Sequence, residues 1–187
     1  MKKLVFIFVF IITINYTFGQ SIVWEILNLG YSFGLTKDEN GNTWNDYNGK
    51  SDGALSFGSE LRVKLLDNRI STGLQFSFSG WNRCDPEGSL LAHQFALSYM
   101  AICDYNFLNV HPKIIPFAGV GVGISRVGYN DIYDSRMDSY WGIWYTHFAF
   151  SPRVGIDYKH VRLAFEYKYL GNRNNYFNVR IGYVIGS

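Results

Sequence analysis

Proline is scarce in this chain, four residues among 187. Cysteine is scarcer, at two, and none follows the N-terminal apolar stretch where a lipid-bearing cysteine would stand. There is no basic tract, and Lys plus Arg outnumber Asp plus Glu only by 17 to 15. Lys2 and Lys3 account for that excess, so the remainder is balanced. Without a cationic face there is no footprint for nucleic acid, and near-neutrality gives no long-range steering of a ligand of either sign. No segment after the N-terminal stretch is long and apolar enough for a transmembrane helix, which needs about 20 residues. If the chain lies in a membrane it must cross as a closed barrel, because only helices and barrels satisfy their own backbone groups in lipid.

Aromatics and glycine are abundant instead: 14 Tyr, 15 Phe and 19 Gly. That mixture suits membrane-facing strands bounded by aromatic girdles, and equally a tight soluble β-barrel. Residues 1–19 read as a signal peptide. Lys2 and Lys3 form its positive start, Leu4 and the residues through Ile14 its apolar middle, and Thr17 and Gly19 its small-residue cleavage signal. Export is therefore expected, with one domain over residues 20–187.

The organising signal is a side-chain period of two, which means β-strand. It is clearest over residues 161–185. Val161, Leu163, Phe165, Tyr167 and Tyr169 alternate with Arg162, Ala164, Glu166 and Lys168; after a polar break, Phe177, Val179, Ile181, Tyr183 and Ile185 alternate with Asn178, Arg180, Gly182 and Val184. The same alternation recurs over residues 24–36, 53–66, 69–79, 91–107, 114–127 and 146–158, giving eight strands. Met100 and Ile102 fall on the otherwise polar face. Gly119, Gly121 and Gly123 follow one another on that face, which suggests a bend or room for bulky side chains from elsewhere. The connections alternate. Long loops cover residues 37–52, 80–90 and 128–145; short turns fall at Asp67-Asn68, 108–113 and Lys159-His160. Long loops on one side and tight turns on the other mark a membrane barrel, in which apolar residues face outward to lipid and polar ones inward. A soluble exported ligand-binding barrel would reverse that polarity.

On this pattern, and on a final strand running from Phe177 through Tyr183 to Ser187 that is similar to a barrel-assembly signal, the chain resembles the small eight-stranded outer-membrane β-barrel of the OmpA/OmpX, porin-family type. The resemblance covers residues 21–187. It implies an all-β, antiparallel, up-and-down transmembrane barrel in a Gram-negative outer membrane. Loops would be extracellular and termini periplasmic, with outer-membrane lipid and the assembly machinery as partners, and a monomer without cofactor or metal. No additional periplasmic domain is expected.

Ten charged residues are assigned to the lumen: Glu60, Arg62, Lys64, Asp104, Arg153, Asp157, Arg162, Glu166, Lys168 and Arg180. An eight-stranded barrel is just wide enough to be filled by side chains. The charges are therefore expected to pair as a plug, since unpaired burial is costly. The competing reading is a narrow small-solute channel lined by charge. A lipid A-modifying enzyme would need a nucleophile, a base and an orienting acid. His93 with Ser89 and His147 with Ser151 are the close pairs, and neither has an evident third partner. Residues 38–49 superficially resemble a calcium loop, but Thr43 replaces the glycine needed at its sixth position. Trp44, Trp81, Tyr133, Trp141 and Trp144 are placed in loops, as candidates for recognising an extracellular ligand or protein. Cys84 and Cys103 are expected at opposite ends of one strand and not bonded to each other.

Overall fold

The computed structural model describes residues 21–34, 53–84, 90–108, 113–131, 144–170 and 175–186. Eight strands follow in order: β1 (Ser21–Gly34), β2 (Gly53–Leu65), β3 (Ile70–Cys84), β4 (Leu90–Asn106), β5 (Ile114–Asp131), β6 (Trp144–Tyr158), β7 (Val161–Lys168) and β8 (Tyr176–Ile185). Each pairs antiparallel with its sequence neighbours, and β8 closes onto β1. Closure removes the free edge strands that an open sheet would present. The residues expected to form a signal peptide lie outside the described residues.

The polarity is inverted relative to a water-soluble core. Leu55, Leu74 and Phe148 are at least 65% exposed, whereas Glu60, Arg62, Arg162 and Glu166 are at most 2% exposed. The alternation explains this directly: successive side chains on a strand point to opposite faces, so each apolar/polar pair divides between wall and lumen.

The β2–β3 turn is built as the Asp67-Asn68 pair suggests. Arg69 N–H donates to the Leu66 carbonyl at 3.1 Å, and Asp67 and Asn68 take φ of 55° and 67°. Positive φ at both central residues matches the right-handed twist of the flanking strands. Lys159 also takes positive φ, in the β6–β7 turn.

Four strands depart from the sequence pattern. β3 continues five residues past Ser79, and β5 continues four past Val127, into segments read as loop. β6 starts at Trp144. At the ends of β3 and β5 apolar residues, Trp81 and Val127, turn inward, so the polar-in, apolar-out rule stops before the strands do. The fourth departure is in β1, where the register shifts between Glu25 and Asn28. Ile26 and Leu27 both lie on the exposed side, and one residue is in excess against β2 and β8. The bulge turns Glu25 inward, where strict alternation back from Asn28 would have pointed it out. Ser59 stabilises it from β2: its hydroxyl donates to the Glu25 carbonyl at 2.9 Å and accepts from the Trp24 indole N–H at 3.0 Å.

Candidate functional site

The closed wall gathers charges from six strands into one lumen. Among the described residues β3 adds the neutral Gln75, and the inward face of β5 carries Phe117 and then Gly119, Gly121 and Gly123. Those glycines make room for neighbours on β4. A Cβ at Gly119 would strike the Asp104 carboxylate, and one at Gly121 would lie 3.2 Å from Met100 Cε and 3.4 Å from Ile102 Cγ2. Met100 and Ile102 are each 2% exposed, so the two inward apolar residues of β4 fill the space the glycines leave. Gly155 does the same for Phe117, whose ring would lie about 2.5 Å from a Cβ there.

All ten sequence-assigned charges point inward. Glu60 is the hub. Arg153 grips it through both carboxylate oxygens, at 2.9 and 3.0 Å. Arg180 Nη2 bridges Glu60 and Glu166 at 2.6 and 2.5 Å. Gln75 joins the same two carboxylates, donating at 3.0 and 2.8 Å. Arg62 stands 3.5 Å from Glu60. A second centre forms around Arg162, which donates to both oxygens of Asp157, at 3.0 and 2.9 Å, and to Asp104. Arg153 links the centres, with Nε 3.1 Å from Asp104. The Arg162 guanidinium also lies 3.5 Å from the centre of the Phe117 ring, a cation–π contact in a dry setting. Such pairing is what burial of charge demands, because an isolated ion away from water loses far more than any single contact returns.

Two members of the set differ from the rest. Lys64 is half-buried near the turn end. Lys168 is fully buried; it donates to Ser77 Oγ and lies 4.0 Å from Glu166. The sequence reading omitted Glu25. Its carboxylate lies 3.6 Å from Arg62 and 3.9 Å from Arg162 and takes its place in the network because of the bulge. The available signal was the Ile26-Leu27 doublet, two adjacent apolar residues where the pattern allows one.

Toward the loop end the lumen turns apolar. Trp81, Leu170, Tyr176, Val127, Ala96 and Ala149 cluster there, all buried. Trp81 stacks on Tyr176 with ring centres 4.9 Å apart and donates its indole N–H to Gln94. This corrects the loop placement of Trp81. It continues the inward row of Ser77 and Ser79 on β3 and is 1% exposed, so it is a stopper and not a surface for recognition. Trp144 is likewise a strand residue, half-buried at the start of β6. Trp44, Tyr133 and Trp141 lie outside the described residues, as do Ser89 and the calcium-like stretch.

His147 and Ser151 face the lumen on one strand, four residues or about 13 Å apart, far beyond proton-transfer reach. The cross-strand neighbour of His147 is Ser125, whose hydroxyl is engaged with Ser98 at 3.0 Å. Among the described residues no nucleophile–base pair results at His147. Cys103 is a free thiol on the outer wall. The Cys84 backbone pairs with Leu90 and that of Cys103 with Thr72, about 40 Å apart along the hairpin, where a disulfide needs Cα atoms within about 7 Å.

No protein-family model matches the chain, and no curated protein matches it by sequence. Among solved structures it is similar to the outer membrane protein OprG of Pseudomonas aeruginosa. The identity is 12% over 90% of this chain and 95% of that one, with a TM-score of 0.50. The outer membrane protein Ail of Yersinia pestis, whose backbone structure was determined in a phospholipid bilayer nanodisc, aligns at 14% identity over 88% of this chain and 99% of that one, with a TM-score of 0.41. At such identities the OprG likeness shows the fold: a closed, eight-stranded antiparallel barrel.

Proposed function

We propose that the chain is an integral outer-membrane barrel with a solid lumen, serving a structural or recognition role and not a catalytic one. The observation that carries this reading is the inverted polarity. The outer wall is built from exposed Leu, Ile, Val and Phe, while eleven charged side chains are turned inward. A water-soluble domain would expose far less contiguous apolar surface. The height of the wall supports the reading. The outward row of β4 runs from Tyr105 to Phe95, which at the usual strand rise and tilt spans roughly 25 Å, the height of a barrel's apolar band. Aromatic rings stand at both margins: Tyr105, Tyr158 and Tyr183 at the turn end, Tyr31, Phe33 and Phe177 at the loop end. By the same analogy the turns and both termini face the periplasm, the long loops face outward, and insertion uses the barrel-assembly machinery.

The plug reading draws on the two layers of the lumen among the described residues, an ion-paired cluster and an apolar stopper. Heat-modifiable gel migration of the membrane fraction tests the location. A folded barrel should resist detergent until boiled and then shift; recovery of the chain in a soluble fraction without detergent, with an unshifted band, would overturn it. In a planar bilayer the purified barrel should pass no sustained single-channel current, and a steady current would refute the plug.

A further inference from the structure

Among the described side chains that face outward from the strands, Arg126 alone is ionic. It continues the outward row of β5 after Ala118, Val120, Val122 and Ile124, and so stands where the apolar band ends on the loop side. No carboxylate of the described residues lies within ion-pair distance of it. Its guanidinium carbon is 5.9 Å from the centre of the Trp144 ring. Trp144 reaches that position because its cross-strand partner is Gly128: a Cβ there would come within about 3 Å of the indole, so glycine lets the ring lie flat against β5. Thr146, the cross-strand partner of Arg126, is exposed beside it and offers a hydroxyl.

A guanidinium presents five N–H donors in a planar fork and is always charged. With one side turned to an aromatic ring and no carboxylate of the described residues against it, its fork can meet an oxyanion. At the edge of an apolar wall the oxyanion at hand is a lipid phosphate, and charge-assisted bonds from Arg to phosphate are among the strong ones. We infer that Arg126, Trp144 and Thr146 form a docking site for the phosphate group of an anionic lipid in the loop-side leaflet. This site rests on the membrane reading above.

The test uses the full chain refolded in detergent and offered equal amounts of phosphatidic acid and phosphatidylcholine with the same acyl chains, with bound lipid read by native mass spectrometry. The wild type should retain phosphatidic acid in preference. Arg126→Gln should cut that preference roughly fivefold, the factor one basic residue contributes at an anionic lipid surface. Arg126→Lys, keeping the charge without the fork, should fall between. An Arg126→Gln barrel that retains as much phosphatidic acid as the wild type overturns the site. So does displacement of the lipid by millimolar inorganic phosphate, which would make the ligand a soluble anion. Heat-modifiable migration of the same samples separates the two readings. A shifted band with no lipid difference sinks the site alone, and an unshifted wild type sinks both.

Discussion

Glu60 is the residue whose removal should most disturb the barrel. It is fully buried and faces three guanidiniums: Arg153 through two hydrogen bonds, Arg180 through one, and Arg62 at 3.5 Å. Glu60→Gln preserves shape and one carbonyl acceptor. It removes the charge and turns amide N–H groups toward guanidinium donors. Six cations (Arg62, Lys64, Arg153, Arg162, Lys168 and Arg180) would then share four carboxylates, those of Glu25, Asp104, Asp157 and Glu166. Breaking a buried pair by removing one partner costs about 3–5 kcal/mol, and a hub with three partners should fall in the upper half of that range. Asp157→Asn makes the same charge change where the side chain is 21% exposed, at the turn-side rim, and should cost less, about 1–3 kcal/mol, since the buried Arg162 keeps Asp104. Urea titrations of both variants in detergent micelles, followed by tryptophan emission, measure the difference. The slope m should stay constant while the midpoint moves, since the exposed surface is unchanged. Adding Arg180→Gln to Glu60→Gln should recover part of the loss, with a coupling energy of about 0.5–3 kcal/mol. A Glu60→Gln barrel within about 1 kcal/mol of the wild type, or indistinguishable from Asp157→Asn, would refute a lumen held by buried ion pairs.

Other perturbations probe the remaining layers. Leu74→Arg places a charge midway up the outer wall; in lipid vesicles it should destabilise the fold by about 2–4 kcal/mol, whereas on a water-facing surface the same change would be close to neutral. Gly121→Ala meets only side-chain atoms, at 3.2 to 3.6 Å, and should be tolerated, while Gly119→Ala drives into Asp104 and the Cys103 carbonyl and should cost about 1–3 kcal/mol in the same urea assay. Trp81→Ala removes the stopper and should cost about 3–5 kcal/mol; a loss near zero would return Trp81 to the surface.

The strands and the lumen charges were legible because the barrel repeats one simple rule, and the places where the reading failed are those where the rule is locally suspended. Trp81 breaks it because the end of a filled barrel needs an apolar stopper. An apolar residue on the polar face then looks like a loop when it is a strand continuing. Glu25 breaks it because period counting cannot register an inserted residue. The bulge suggests its own test. Deleting Ile26 would leave Leu27 opposite Ser59 on the outer wall, with Glu25 still inward and Trp24 still outward, since the excess residue is removed from one side of a register that is otherwise intact. Glu25 should keep its approach to Arg62 and Arg162, and the deletion variant should fold, shift on heating and unfold within about 1 kcal/mol of the wild type, the range of a tolerated local change. If Glu25 instead owed its position to the kink that the bulge gives β1, the deletion would unseat it. The loss would then approach the several kcal/mol of a broken buried pair. Such a result would mean that the bend in β1, and not the parity of its residues, aims the carboxylate.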